Sequence, residues 1–291
     1  MKKVMLITAT LFMFAAVSCE KKPVDDPNGQ KTEVTTAKDA LVVYLSMESN
    51  TAAINTGAGI SFGNLAGKAA FQKGFIGNGY VNTGGLNTQE AYLKFNLAAN
   101  NAFTKLESMT FSAWVKIPTG AAEKSGIISL NGTGKETIWP PFVFLFDNYD
   151  KDNGLWFNGR VDFLTVADKP ILWPNSVSMD YAKKDTWFQI ARTYDAATGA
   201  WANYCNGVKV GDGSFLIAEK PVGAIKAGVA SDCNAMYVGG WATRIEGKSL
   251  DDWQGFFPGS IDELRIYNKA LSETEINALY KEELAISLDQ E

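Results

Sequence analysis

The sequence contains no histidine in its 291 residues. That absence excludes Ser-His-Asp and Cys-His nucleophile pairs and every His-ligated zinc site. An enzyme built on this chain would have to work with carboxylates, Lys, Tyr or a calcium ion. Basic charge is also scarce: 27 Lys and Arg stand against 32 Asp and Glu, for a formal net charge of −5. No cationic footprint invites nucleic acid or an anionic membrane surface. The apolar run from Val4 to Val17 is about 14 residues, too short to span a bilayer core. No internal repeat and no second domain are visible.

What is there is globular in composition: 46% hydrophobic, 20% charged, with 27 glycines. That is ample to bury a core, and one large all-β domain of about 200–250 residues is a common size.

The N-terminus has the three parts of an export signal. Lys2 and Lys3 give a positive region, Val4–Val17 an apolar one, and Ala16-Val17-Ser18 supplies small residues before Cys19. This resembles the lipobox of bacterial lipoproteins, although Leu is commoner at the position of Ala16. The resemblance implies cleavage before Cys19 and lipidation of that cysteine, which anchors the chain to a membrane. Residues 20–38 hold two prolines, many charges and no aromatic, the composition of a flexible spacer. The acidic pair Asp25-Asp26 is similar to the short acidic stretch of Bacteroidetes surface lipoproteins. That implies the outer membrane and its cell-surface face, in the company of other glycan-uptake proteins. The expected organisation is signal 1–18, lipidated cysteine and tether 19–39, sandwich 40–283 and a fraying tail 284–291.

From Ala40 onward, short apolar runs alternate with Gly, Asn and Asp clusters, the pattern of an all-β sandwich. The clearest strands are Leu41–Met47, Met109–Ile117, Gly126–Leu130, Phe142–Phe146, Leu155–Phe157, Trp187–Tyr194, Ala200–Cys205, Ala235–Gly239 and Ser260–Tyr267. Two hairpins are expected, Trp187–Tyr194 with Ala200–Cys205 and Phe142–Phe146 with Leu155–Phe157. The loop 147–154, DNYDKDNG, offers Asp147, Asn148, Asp150 and Asp152. Its glycine falls one position late for a calcium loop of the EF-hand kind, so it reads as a polar hairpin loop. Ser272 and Glu275 have capping-box spacing, and Ile276, Leu279 and Tyr280 recur at helical spacing, predicting a short C-terminal helix on the sandwich.

Four stretches occur in order: FSAWVKIP (111–118), WFQIARTYDAATGAWANYCNGVKV (187–210), MYVGGW (236–241) and GSIDELRIYNKALSETEINALY (259–280). Together they resemble the laminin G-like (LamG-like) members of the concanavalin A-like lectin/glucanase superfamily. LVVYLSMES (41–49) is similar to that family's first strand, with Met47 where an aromatic is usual. The resemblance implies a jelly roll of two antiparallel sheets with first and last strands adjacent. It does not imply one function, because the superfamily holds lectins, adhesion modules and glycosidases.

Strand alternation over Ser260–Tyr267 puts Asp262, Leu264 and Ile266 on one face, so Asp262 is expected to point into the core. Antiparallel pairing of the first and last strands would bring Glu48 near it. Two carboxylates with loop carbonyls suit calcium, which the family carries near this place; the alternative is that Asp262 caps backbone amides. Trp114 and Trp187 sit in strand motifs and read as core, and Trp201 as structural. Trp139, Tyr149, Arg160, Trp173, Trp241 and Arg244 lie in or beside polar loops and are candidate contacts to a sugar, whose apolar faces stack on aromatic rings. The alternative is that these rings plug the sandwich ends. Cys205 and Cys233 are left after lipidation, either bridged in an oxidising compartment or as two buried thiols.

Retaining glycosidases of the superfamily place three carboxylates on one strand as Glu-x-Asp-x-(x)-Glu. No strand here carries that pattern, and adjacent Asp262 and Glu263 point to opposite faces. The leading reading is therefore a non-catalytic carbohydrate-binding module that holds a glycan or polysaccharide at the cell. An adhesion or scaffold protein binding protein partners, and a polysaccharide-cleaving enzyme with an unrecognised site, are the alternatives.

Overall fold

The computed structural model describes residues 33–49, 58–119, 124–132, 139–150, 154–161, 165–169, 171–177, 180–248 and 253–290, with only the backbone at 147–150, 154–161, 171–177 and 227–229. Its strands are β1 (Leu41–Leu45), β2 (Ile60–Gly67), β3 (Ala69–Lys73), β4 (Asn78–Asn82), β5 (Ala91–Leu97), β6 (Met109–Lys116), β7 (Ser125–Leu130), β8 (Phe142–Asp150) and β9 (Gly154–Val161). They continue as β10 (Ile171–Val177), β11 (Trp187–Tyr194), β12 (Ala200–Cys205), β13 (Val208–Ser214), β14 (Leu216–Ile217), β15 (Lys220–Pro221), β16 (Ala235–Val238), β17 (Gly255–Phe256) and β18 (Ser260–Tyr267). The described α-helices are α1 (Ala242–Ile245) and α2 (Glu273–Leu288).

Two sheets result. One runs β13-β12-β11-β6-β18-β4-β3, with β1 also on β18; the other runs β10-β9-β8-β7-β16-β5-β2, with β17 on β7. First and last strands are adjacent and antiparallel, Leu45 opposite Leu264. Both expected hairpins form, β11 with β12 and β8 with β9. The second is tighter than its sequence suggested, because Asp147–Asp150 continue β8 rather than form a loop. The expected β-sandwich of jelly-roll type, two antiparallel sheets with a C-terminal helix, is the fold of this chain.

The core lies between the sheets. Phe111 of β6 stacks on Phe144 of β8 at 4.2 Å between ring centroids, and both are fully buried. Alternation explains the placement: Phe111, Ala113 and Val115 face inward with Phe142, Phe144 and Phe146 opposite. Each such phenylalanine contributes roughly 1.5–3 kcal/mol by leaving water.

The last strand breaks its alternation. In β18, Asp262 stands opposite Trp114 and Arg265 opposite Ser112, so one extra residue is inserted against β6. Glu263 takes a left-handed φ of 50° there, the signature of a β-bulge. Parity reverses across it. Ile261, Leu264 and Ile266 all join the core, while Asp262 and Arg265 share the outer face with Trp114. Asp262 is buried as expected, at 0% exposure, but on the opposite face from Leu264 and Ile266.

That outer face is covered by α2. The capping box of Ser272 and Glu275 forms as read, and Ile276 and Leu279 pack on Ala191, Tyr204 and Tyr267. Tyr280 stacks on Trp114, centroids 5.6 Å apart. Trp114 is thus buried under the helix rather than between the sheets. The helix also outruns its expected end. It continues to Leu288, Ile286 is buried, and the Ser287 hydroxyl donates to the Phe75 carbonyl at 2.8 Å. The far end of the spacer is held too. The Thr35 and Thr36 amides donate to Glu282 at 2.9 and 3.0 Å, and Val34 and Ala37 pack beside the helix.

Candidate ligand-binding site

The turn between β3 and β4 is built around two carboxylates. Asp262 Oδ2 accepts the Phe75 and Ile76 amides at 2.8 and 2.9 Å, and Oδ1 accepts the Glu263 amide at 2.8 Å. Glu48 accepts the Asn78 amide at 3.0 Å. Glu48 and Asp262 do converge, on the β3–β4 turn. Four N–H dipoles point their positive ends at these oxygens, which is the capping alternative and a poor fit to a divalent ion. Among the described residues no group of three or more acidic or thiol side chains is arranged to hold a metal. Glycine is required twice. A Cβ on Gly74 would lie 2.5 Å from the Asp262 carboxylate, and one on Gly77, whose φ is +60°, 2.3 Å from that of Glu48.

Beneath α2 the charges are densely paired. Arg265 donates to Glu263 at 2.6 Å and to Glu283, and its guanidinium lies 4.2 Å from the Tyr44 ring centroid. Glu283 also accepts the Trp114 indole at 2.7 Å and the Gln189 amide at 2.6 Å. Burial pushes Glu283 up to about 7 despite the opposing pull of Arg265. Burial alone would depress Arg265, but Glu283 and Glu263 outweigh it and hold the guanidinium above its ordinary value. Burial, then the charge of Glu263, raises Asp262 well above the carboxylate range. Asp262, Glu263 and Glu283 are 0%, 1% and 0% exposed, so this cluster is a brace for the helix rather than a reaction site.

Between the β3–β4 turn and the end of α2 lies an open cleft of about 650 Å³. Its walls include Lys73, Phe75, Asn78, Lys116, Trp187 and Gln290. Phe75 lies flat on Trp114 at 3.4 Å and 6.1 Å from Trp187. Trp187 and Phe75 are half-buried, and Lys73, Asn78 and Gln290 are exposed. The Lys116 ammonium stands over the Trp187 ring, 5.3 Å from its centroid. Gln290 is fixed by accepting the Gly77 amide at 2.8 Å. Aromatic wall, amide side chains and ammonium groups therefore converge on one hollow whose floor is pinned by Asp262. Sequence reading missed all of these residues except Trp187, which it placed in the core.

The residues singled out from sequence fall elsewhere. Trp241 is fully buried and stacks edge-on against Trp253 at 5.2 Å, with Trp139 at 5.3 Å. Its indole nitrogen has no partner among the described residues. These rings cover Val143 and Leu145 on the outside of the second sheet, so Trp241 plugs rather than presents. Arg244, half-buried, donates to the Gln254 carbonyl at 3.0 Å and lies 5.4 Å from the Phe256 ring centroid. Trp139 is partly buried in the same cluster. Tyr149, Arg160 and Trp173 lie in β8, β9 and β10, opposite Leu155, Val143 and Gly159, and are placed by backbone alone. Cys205 and Cys233 are free and buried, not bridged. Cys205 belongs to a strand of the first sheet, whereas Cys233 precedes β16 of the second, and burial pushes both thiols up to about 12. Cys19 lies outside the described residues.

Comparison with known proteins agrees with this architecture. A family model of the concanavalin A-like lectin/glucanases superfamily, in its laminin G form, matches residues 87–277. No curated protein matches the sequence. Among solved structures, the receptor binding domain of botulinum neurotoxin mosaic serotype C/D is similar at 17% identity and a TM-score of 0.53, over 84% of this chain and 51% of that one. The ligand binding domain of botulinum neurotoxin serotype D, in complex with N-acetylneuraminic acid, matches at 16% identity and 0.51, over 84% and 51%. This chain thus spans about half the length of those domains, and identities so low speak for the fold alone. The family model covers well over half of the 291 residues, and the chain belongs to the concanavalin A-like lectin/glucanase superfamily.

Proposed function

We propose that this chain is a non-catalytic carbohydrate-binding module, tethered to the outer membrane through a lipid on Cys19 and facing outward, and that the cleft beside Trp187 holds the sugar. The observation that carries the reading is the pairing of a half-buried indole with exposed amide and ammonium groups in one hollow. Sugars present apolar C–H faces edged with hydroxyls, and that combination of surfaces grips both. Superfamily membership supports it, and so does the N-acetylneuraminic acid complex of the serotype D domain.

The acids argue against hydrolysis. Glycoside cleavage needs two carboxyl groups about 5–9.5 Å apart across an open subsite. Among the described residues, the side chains lining this cleft include no carboxylate, and the clustered acids are sealed under α2. The tether reading rests on Lys2, Lys3, the apolar run and Ala16–Cys19. A non-catalytic module gains from an anchor, because binding then keeps the ligand at the cell.

Isothermal titration of the protein against a glycan panel tests the reading. Saturable binding that is weakened at least tenfold by Trp187→Ala is expected. No binding to any glycan would overturn it. For the tether, a Cys19→Ala variant is expected to leave the membrane fraction.

A further inference from the structure

We infer that the saccharide taken by this cleft carries an anionic group, a carboxylate or a sulfate; the inference rests on the reading of the cleft as a sugar site. Among the described residues, the charged side chains on its walls are Lys73 and Lys116. Neither is within ion-pair distance of a carboxylate among the described residues. Three acids near these residues are engaged by the protein's own amides and hydroxyls. Asp185, which feels the charge of Lys116, accepts the Thr119 amide and hydroxyl. Glu48 and Asp262 accept the amides of Asn78, Phe75 and Ile76 in the turn.

Among the described residues, the charged side chains that line the cleft are thus both cationic, on a chain whose net charge is −5. Two like charges against one hollow repel each other, and an anion placed between them relieves that repulsion. Lys116 stands over Trp187, so an acidic sugar seated at the indole brings its anion to the same ammonium. A neutral sugar would use the ring and the amides of Asn78 and Gln290, but would bring no opposite charge to either ammonium. Charge-assisted hydrogen bonds are about twice as strong as neutral ones, and here they set the preference.

The test is titration of the protein with matched pairs: galacturonan against galactan oligomers, chondroitin sulfate against its desulfated form, sialyllactose against lactose. At least one acidic member is expected to bind tenfold or more tighter than its neutral partner, with affinity falling as salt rises. Lys73→Gln and Lys116→Gln should each weaken that member about tenfold, with melting temperature unchanged. Equal binding of both members of every pair, or full affinity in both lysine variants, would overturn the inference while leaving the sugar site standing. No binding by any member, acidic or neutral, would overturn the sugar site as well.

Discussion

The Trp114 indole of β6 donates to the Glu283 carboxylate of α2 at 2.7 Å, and this contact joins the C-terminal helix to the centre of the sandwich. Glu283 also answers Arg265 and Gln189. Replacing it with Ala leaves a buried guanidinium with Glu263 as its remaining carboxylate partner and an indole N–H with none. Breaking a buried pair from one side costs about 3–5 kcal/mol. Urea unfolding of Glu283→Ala is expected to show a loss of that size, and a loss under about 1 kcal/mol would contradict the bracing role.

The same residue makes stability depend on pH. Its folded carboxyl is pushed up to about 7 from an ordinary 4.5, so between those values the folded state holds more protons than the unfolded one. Stability from this group is full below about pH 4.5 and is lost as pH rises through about 7. The slope is at most about 1.4 kcal/mol per pH unit. Thermal melts between pH 4.5 and 7 should show that fall in the wild type and a flatter profile in Glu283→Gln. Parallel profiles would rule it out.

The β3–β4 turn is built on its carboxylates and glycines. Asp262→Asn replaces an acceptor with a donor opposite backbone amides and is expected to cost about 1–3 kcal/mol. Gly77→Ala places a Cβ against Glu48 at a left-handed φ and should cost about 1–2 kcal/mol. EDTA should leave the melting temperature unchanged; a drop of several degrees on chelation would restore calcium to this place.

Cys205 and Cys233 are buried thiols whose pKa values are pushed up to about 12. Thiolate is the reactive form, so both should resist alkylation in the folded protein and react fully in denaturant. A mass lower by two protons after unfolding without reductant would reveal a bridge instead.

The framework was legible because its strands are aromatic and β-branched, and because the capping box at Ser272 is local. The nine strands expected from sequence all appear, whereas nine others, β2–β5, β10, β13–β15 and β17, were missed. ISFGNLAG and NGYVN carry glycines and short polar residues, which weaken the strand signal and leave tertiary pairing to decide. The parity of β18 could not be read, because the bulge at Glu263 leaves alternation intact in the letters while reversing it in space. The site was hidden for a related reason. Trp187 belongs to a strand motif, and its exposure depends on where α2 ends, some hundred residues later. Loop tryptophans looked more available, yet Trp241 is buried by neighbours that sequence does not place beside it.

The central claim is that Trp187 and its surroundings form a glycan-binding cleft. Titration of wild type and Trp187→Ala with the same glycan panel, after both are shown to melt cooperatively, tests it most directly. The account predicts saturable wild-type binding to at least one acidic glycan and at least a tenfold loss in the variant. Equal affinity in the two proteins, or no binding by the wild type, would contradict it.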